Sequence, residues 1–197
     1  ITSHTGGLTV SDTGAVSAAD LTNISSSTSG LTTANATTHI IGSSAEIVAA
    51  IGAVVEAANV NFTITGVAAT IAELKVLNAA TSGIIVISPG TTAQNYDDTA
   101  ANLAAAFDGI TTSTSTLTIT GTTPATVAQL KTINAATSGT VTLNSQTIAA
   151  NLSGSAVDLA AAFDGITTST STLTITGTDP ATVAQLKTIN AATSGTV

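Results

Sequence analysis

A near-verbatim internal repeat constrains this chain more than any other feature. Leu103–Val141 returns as Leu159–Val197, and the only change is from Thr123 to Asp179. A weaker copy lies upstream. Asn78–Gly83 precedes Asn134–Gly139 by the same number of residues that separates the two clear copies. Repeats at a constant period are typical of arrays in which one structural unit stacks on the next. We therefore expect the function to reside in the array.

The repeat divides the chain into four segments. They are a degenerate first repeat at 1–42, a second at 43–97, a third at 98–153 and an incomplete fourth at 154–197. Divergence increases toward the N-terminus, as in a capping repeat, and we expect one continuous solenoid. Ile1 is not methionine and is not followed by a basic and apolar leader. This predicts a mature or excised piece of a longer protein.

The first half of each repeat reads as a strand followed by a helix. Residues 112–120 alternate, so their threonines should point outward and Leu117 and Ile119 toward the core. A helix is predicted over 125–136, with Thr123 (Asp179 in the next copy) at its N-cap and a proline in its first turn. Gly139 should stop it in left-handed backbone.

The second half of each repeat reads as a shorter strand and helix. A strand at 140–143, a polar loop at 144–155 and a helix at 156–163 are predicted, with Leu159 and Phe163 packing inward. Two coils per repeat would average about 28 residues each, which favours an α/β solenoid with a parallel sheet. Tandem small β-sandwich domains are the alternative. Stacked copies would bring equivalent residues into register: Asn78, Asn134 and Asn190, and Lys75, Lys131 and Lys187.

Charge and composition exclude several classes of partner. The net charge is −8, with three lysines and no arginine, which argues against nucleic acid and against anionic membrane surfaces. Without cysteine, no disulfide or thiolate metal site can form. The most apolar stretch, residues 40–60, is interrupted by serine and glutamate, so we expect no membrane insertion.

Recurring aspartates are the candidate metal ligands. Asp97, Asp98, Asp108 and Asp164 lie near expected turns and helix ends, where they could bind calcium or simply cap helices and form turns. Asp97 and Asp98 are the best pair, because adjacent carboxylates gain from sharing a cation. The carboxylates lack basic or aromatic partners for a substrate, so we expect no enzyme and no cofactor other than calcium.

Three further features have alternative interpretations. His4 and His39 lack a second ligand at metal-binding spacing, so we expect structural or exposed histidines. The lysine in each helix could pair with an acidic group on a neighbouring coil, or lie on a solvated face. The outward threonines could bind ice, carry sugars or contact another chain, or reflect only the β-propensity of threonine.

The segment from Thr9 to Leu21 and the units reading TITGTxPATVAQLKTINAATSGTVTL resemble a known class of repeats. They are similar to the Thr/Ala-rich tandem repeats of giant bacterial surface proteins, including cyanobacterial-type adhesins and S-layer proteins. The resemblance covers nearly the whole chain and carries no catalytic residues. It implies an extracellular or cell-surface protein.

These observations together predict a structural repeat segment of an extracellular surface protein. We expect it to self-assemble into a fibre, surface layer or stalk, so its main partners would be other copies of the same protein. An adhesin or ligand-binding spacer, with a threonine array facing cell-surface glycans or ice, is the alternative.

Overall fold

A computed structural model describes residues 4–197, so Ile1 lies outside the described residues. The chain is an α/β protein that divides into two compact units. Unit 1 ends at Thr92 and unit 2 runs from Ala93 to Val197, so the division falls close to the predicted repeat boundary at 97/98. All strand pairs among residues 4–197 are parallel, which argues against the β-sandwich alternative.

Unit 1 alternates short strands with helices. The elements are β1 (Leu8–Thr9), β2 (Ala15–Ser17), α1 (Ala18–Ser26), β3 (Thr32–Ala34), β4 (His39–Gly42), α2 (Ser44–Ala53), β5 (Val55–Glu56), β6 (Asn61–Ile64), α3 (Ile71–Ala80), β7 (Ile85–Val86) and all but the last residue of the one-turn α4 (Pro89–Ala93). They form two parallel sheets, with strand orders β1-β3-β5 and β2-β4-β6-β7, and α2 packs between α1 and α3.

Unit 2 continues the alternation with longer connections. Its elements are β8 (Tyr96–Asp98), α5 (Ala100–Phe107), β9 (Leu117–Ile119), α6 (Val127–Ala136), β10 (Val141–Thr142), the one-turn α7 (Ser145–Ala149), β11 (Leu152–Gly154), α8 (Ala156–Ala162), β12 (Leu173–Ile175) and α9 (Val183–Ala192). Strands β8, β9 and β10 form one parallel sheet, and β11 pairs with β12. The four longer helices pack in the order α5-α6-α8-α9.

The strand registers of unit 2 give the sequence separation between paired residues on neighbouring strands. This separation is less than half the length of the repeat. Leu117 pairs with Tyr96 on one side and with Val141 on the other. Leu152 pairs with Leu173 in the same way. The predicted loop at 144–155 was wrong, because that segment contains α7 and β11. The two helices predicted for each repeat are present as α6 and α8, which pack one after the other.

The predicted alternation of residues 112–120 is confirmed. Ser113, Ser115, Leu117 and Ile119 are buried, and the threonines between them are not. Only 117–119 form a strand, while Ser113 makes an isolated parallel bridge to Thr137. The core is built from small aliphatic residues and the phenylalanines, which are all fully buried: Phe62, Phe107 and Phe163.

The predicted helix at 125–136 begins two positions later, and its cap is a different residue. Thr126 is the N-cap of α6: its hydroxyl accepts a hydrogen bond from the Gln129 N–H at 3.2 Å, and the Gln129 side chain accepts one from the Thr126 N–H at 3.0 Å. This reciprocal capping box fixes the helix start. Thr123 and Asp179 instead lie in exposed turns before the caps, so the one difference between the copies does not fall on a helix cap.

Candidate functional site

The T-S-G sequence that recurs after the long helices joins adjacent coils. The Thr137 hydroxyl donates to the Ser115 carbonyl at 2.6 Å and accepts from the Gly139 N–H at 2.9 Å. Ser115 belongs to the preceding coil. The same two hydrogen bonds recur with these pairs and carbonyls: Thr28 and Gly30 with Gly6, Thr81 and Gly83 with Val60, and Thr193 and Gly195 with Ser171.

The glycine of this sequence is required by a close approach, not by its backbone angle. A Cβ on Gly83 would lie 2.5 Å from the Val60 carbonyl oxygen, and one on Gly139 would overlap the carbonyl of Ser115. Gly139 is not among the glycines with positive φ, so the predicted left-handed stop was wrong. Left-handed glycines instead follow the shorter helices α5 and α8, where Gly109 and Gly165 both have φ of 72°, and the strands β6, β9 and β12.

A buried threonine in each one-turn helix makes a second contact between coils. In unit 2 the Ala125 N–H donates to the Thr147 hydroxyl at 2.8 Å. In unit 1 the Ala69 N–H donates to the Thr91 hydroxyl at 2.9 Å. Both threonines are fully buried, and the two pairs are separated by the period of the repeat. A buried N–H without this acceptor would be costly, so the contact fixes the spacing of the coils.

An acidic residue near a helix start also links neighbouring helices. Asp158 of α8 accepts hydrogen bonds from the Ser155 hydroxyl at 2.8 Å and from Lys131 Nζ of α6 at 2.6 Å. The Lys131 hydrogen bond, assisted by that of Ser155, lowers the pKa of Asp158. Glu73 of α3 similarly accepts from the Ser44 hydroxyl of α2 at 3.0 Å. Lys131 therefore pairs with a neighbouring coil, the first of its two predicted roles.

The equivalent lysines and asparagines of unit 2 lie on helices that are separated by one coil, as two coils per repeat predict. Helix α8 lies between α6 and α9, so Lys131 does not stack on Lys187. Asn134 likewise contacts the α8 coil, and its Nδ2 donates to the carbonyls of Ala161 and Asp164, both at 3.0 Å. Identical copies alternate with a different coil and do not follow one another directly.

A cavity in unit 2 surrounds the Lys131–Asp158 pair. Its volume is about 570 Å³, and its walls include Phe107, Asp108, Val127 and Gly154. The cavity is open to solvent, and both members of the ion pair are about half exposed. The cleft therefore places one half-exposed ion pair between the α6 and α8 coils, where solvent screening makes its contribution small.

Of the four aspartates of the calcium hypothesis, two are adjacent on β8 and the other two lie at the ends of separate helices. Asp97 is exposed on β8, and Asp98 Oδ1 accepts from Asn102 Nδ2 of α5 at 2.7 Å. Asp108 and Asp164 are exposed at the ends of α5 and α8. Within residues 4–197 no three His, Asp or Glu side chains lie close enough together to hold a metal ion. Calcium binding stays a prediction for which these residues supply no ligand cluster.

The outward threonines form a short array. Thr118 is flanked in register by Asp97 on one side and Thr142 on the other. Thr174 is paired with Ser153. The predicted threonine face therefore extends over only two adjacent strands in the described part of unit 2.

Two further polar groups lie in unit 1. His39 Nε2 lies 2.6 Å from the Thr63 hydroxyl on the next strand, which is a structural contact. Burial raises the pKa of Glu56, and its Oε2 is a buried oxygen without a hydrogen-bond partner in the described chain. The raised pKa means that the folded state binds the Glu56 proton more tightly than the unfolded state does. The stability of the folded state is therefore greatest below the unfolded pKa of Glu56 and falls as the pH rises through its folded pKa.

The last helix of unit 2 presents an apolar face. Val183 is 70% exposed and Leu186 is 41% exposed, whereas the equivalent Leu130 is fully buried. Val183, Leu186 and Val197 line a depression of about 370 Å³ together with Lys187 and Asn190.

Part of the local structure at the contacts between coils was predictable, because T-x-x-Q at Thr126–Gln129 is a sequence signature of a capping box. The roles of Thr137 and Thr147 were not, since they depend on carbonyl and N–H groups of other coils.

Comparisons with known proteins gave no further guide. The chain matches no family model, no curated protein and no solved structure. Within residues 4–197, the helices are all too short or too polar to cross a bilayer.

Proposed function

We propose that the chain is a structural repeat segment of an extracellular surface protein. Its coils would stack as a solenoid, and copies would self-assemble into a fibre, surface layer or stalk. Within each unit, neighbouring strands are parallel, and the longer helices pack in chain order. Repeat proteins of this kind are stabilised by contacts between neighbouring repeats.

One observation carries the proposal: the repeated residues are the ones that join coils. The T-S-G hydrogen bonds occur four times, and the hydroxyl of the one-turn helix meets the same N–H in both units. The residues that recur in the repeat therefore preserve the contacts by which the coils stack. A catalytic or binding role would instead favour repetition of charged or aromatic side chains in a pocket.

The extracellular location is supported by composition and by the resemblance to bacterial surface repeats. The chain has no cysteine, a net charge of −8 and a surface kept polar largely by threonine and serine. An exposed threonine surface of this kind remains hydrated without many charges. The short reach of the threonine array gives less support to an ice-facing or glycan-facing spacer.

Electron microscopy of the purified chain over a range of concentrations tests the self-assembly. We expect filaments or ordered sheets. Sedimentation of the same samples should show species larger than the 19.0 kDa chain. Monodisperse particles of 19.0 kDa at every concentration would contradict the proposal.

A further inference from the structure

The one difference between the two long copies creates a peptide bond of a kind that the rest of the chain lacks. Asp179 stands where the other copy has Thr123, and a proline follows in both copies. The chain has three prolines, and the remaining one follows Ser88, so an Asp–Pro bond occurs once in the sequence. The difference between the copies therefore changes the chemistry of the main chain as well as that of a side chain.

An Asp–Pro bond differs from other peptide bonds in two respects. The side-chain carboxyl of Asp179 is one methylene group from the main chain, so its attack on the carbonyl carbon of the same residue closes a five-membered ring without an external nucleophile. The nitrogen of Pro180 belongs to a tertiary amide without an N–H, and it leaves as a secondary amine that readily accepts a proton. Thr123 has no carboxyl group, so it cannot start the same reaction.

The loop that carries this bond is exposed and lies outside helix and strand. Residues 176–180, between β12 and α9, are all exposed. Within residues 4–197 the Asp179 carboxylate makes no hydrogen bond or ion pair, so no contact holds it away from the main chain. The equivalent residues 121–124 of the other copy are also exposed, although further coils follow them. The exposure is therefore a property of the loop and not of its place in the array.

Asp179 and Pro180 also line a cleft of unit 2. The cleft has a volume of about 480 Å³, and its walls include Thr182 and Asp158. Among the described residues, Asp158 is the other titratable group on this cleft, and Lys131 pairs with it at 2.6 Å. The charge nearest to Asp179 is therefore partly compensated. Because Asp179 and Pro180 are exposed, water reaches the bond between them.

We propose that the chain cleaves its own Asp179–Pro180 bond in mild acid. The carboxyl oxygen of Asp179 attacks the carbonyl carbon of the same residue, and the C–N bond to Pro180 breaks. The electron pair of that bond stays on the proline nitrogen, which takes the proton that the carboxyl group gives up. A cyclic anhydride forms at Asp179, and water opens it to two carboxylic acids. The net reaction is hydrolysis of one peptide bond, and it does not depend on the proposed self-assembly.

Cleavage at this position would divide one coil and leave its hydrogen bonds in place. The Thr193 hydroxyl donates to the Ser171 carbonyl at 2.6 Å, and the Leu173 N–H donates to the Thr196 carbonyl at 2.9 Å. These hydrogen bonds join residues on opposite sides of the cut. The two pieces should therefore stay together in the folded protein and separate on denaturation. The array would then be held at this point by noncovalent contacts alone.

Mass spectrometry of the full chain after incubation in acid tests the proposal. The pH would be about 4, where an ordinary aspartyl carboxyl is partly protonated, or the lowest pH above this at which circular dichroism shows the folded spectrum. We expect one piece that ends at Asp179 and one that begins at Pro180. The matched control Asp179→Thr makes the two copies identical, and cleavage there should be at least about tenfold slower because the nucleophile is absent. At neutral pH the unmodified chain should also be cleaved more slowly, since fewer protons are available for the leaving nitrogen.

The variant Thr123→Asp tests whether an Asp–Pro pair in this loop is sufficient. It creates a second Asp–Pro bond, and the carbonyl at position 123 accepts a hydrogen bond from Asn144 Nδ2 at 3.1 Å. A donor at this place stabilises the negative charge that develops on the carbonyl oxygen during the attack. We expect a second cut between residues 123 and 124. An intact unmodified chain, equal cleavage in Asp179→Thr or at neutral pH, or a Thr123→Asp chain without the second cut would each overturn the proposal.

Discussion

Helices α6 and α9 carry the same sequence and occupy different environments. Leu130 of α6 is fully buried, and Leu186 of α9 is 41% exposed. Lys131 has Asp158 as its partner, whereas no carboxylate within residues 4–197 pairs with Lys187. The difference arises because the α8 coil covers α6. The comparison shows that a repeat of this kind is completed by its neighbour, and that its own residues supply only half of each contact.

The largest expected difference between the copies is at the leucine. Leu130→Ala should destabilise the chain by about 2–5 kcal/mol, because it removes a fully buried side chain and leaves a cavity. Leu186→Ala should cost less than about 1 kcal/mol, since this side chain is already partly in water. Urea unfolding of the two variants measures both. Equal losses would show that the α9 face is covered in solution.

Substitution of the T-S-G glycine should destabilise the chain in both copies, unlike substitution of the leucine. Gly139 and Gly195 both press on a carbonyl of the preceding coil, which is present in both copies. Gly139→Ala should destabilise by about 1–3 kcal/mol through overpacking, and Gly195→Ala should have the same sign. Gly52→Ala is the control. No atom lies within 4 Å of the added Cβ in helix α2, so it should stabilise by about 0.5–1 kcal/mol. A neutral Gly139→Ala would contradict the close approach.

The Thr147 hydroxyl accepts a hydrogen bond from the Ala125 amide, so this amide should behave differently from the equivalent amide of Ala181. Thr147→Val removes the acceptor of the Ala125 N–H and should cost about 1–2 kcal/mol, because the donor is left buried and unpaired. Thr91→Val provides the matched change in unit 1. Hydrogen exchange gives a second measurement: the Ala125 amide should exchange more slowly than that of Ala181, which is only half-buried. Equal exchange rates would count against the role of Thr147.

The smallest expected effect is at the lysines, and it is best measured as a pKa. Lys131→Gln should raise the pKa of Asp158 toward its ordinary value, whereas Lys187→Gln should leave it unchanged. The folded pKa is lowered, so the stabilisation from Asp158 is present above its unfolded pKa and is lost as the pH falls through its folded pKa. NMR titration of the Asp158 carboxyl would measure the shift, and added salt should reduce it.

Much of the local structure could be predicted from the sequence. The alternation through Ser113, Ser115 and Leu117 placed the correct side chains in the core, and the inward Leu159 and Phe163 are confirmed. These features depend on periodicity, which neighbouring residues determine. The proline before α6 predicts a start that is too early, whereas the capping box of Thr126 marks the observed start.

Other features could not be predicted from local patterns. The segment at 144–155 is polar and was predicted as a loop, yet it folds as α7 and β11 because Thr147 and Leu152 find partners in neighbouring coils. The role of Gly139 also depends on a carbonyl that belongs to another coil, that of Ser115.

The sequence alone determined the repeat, its strand–helix alternation and which faces are apolar, because these follow from residue spacing and side-chain chemistry. Only the tertiary structure decided that α8 lies between α6 and α9, and so which copy of a residue is buried, paired or exposed. The physical reason is that burial, hydrogen bonding and ion pairing require a second surface, and two identical sequences can differ in whether that surface is present.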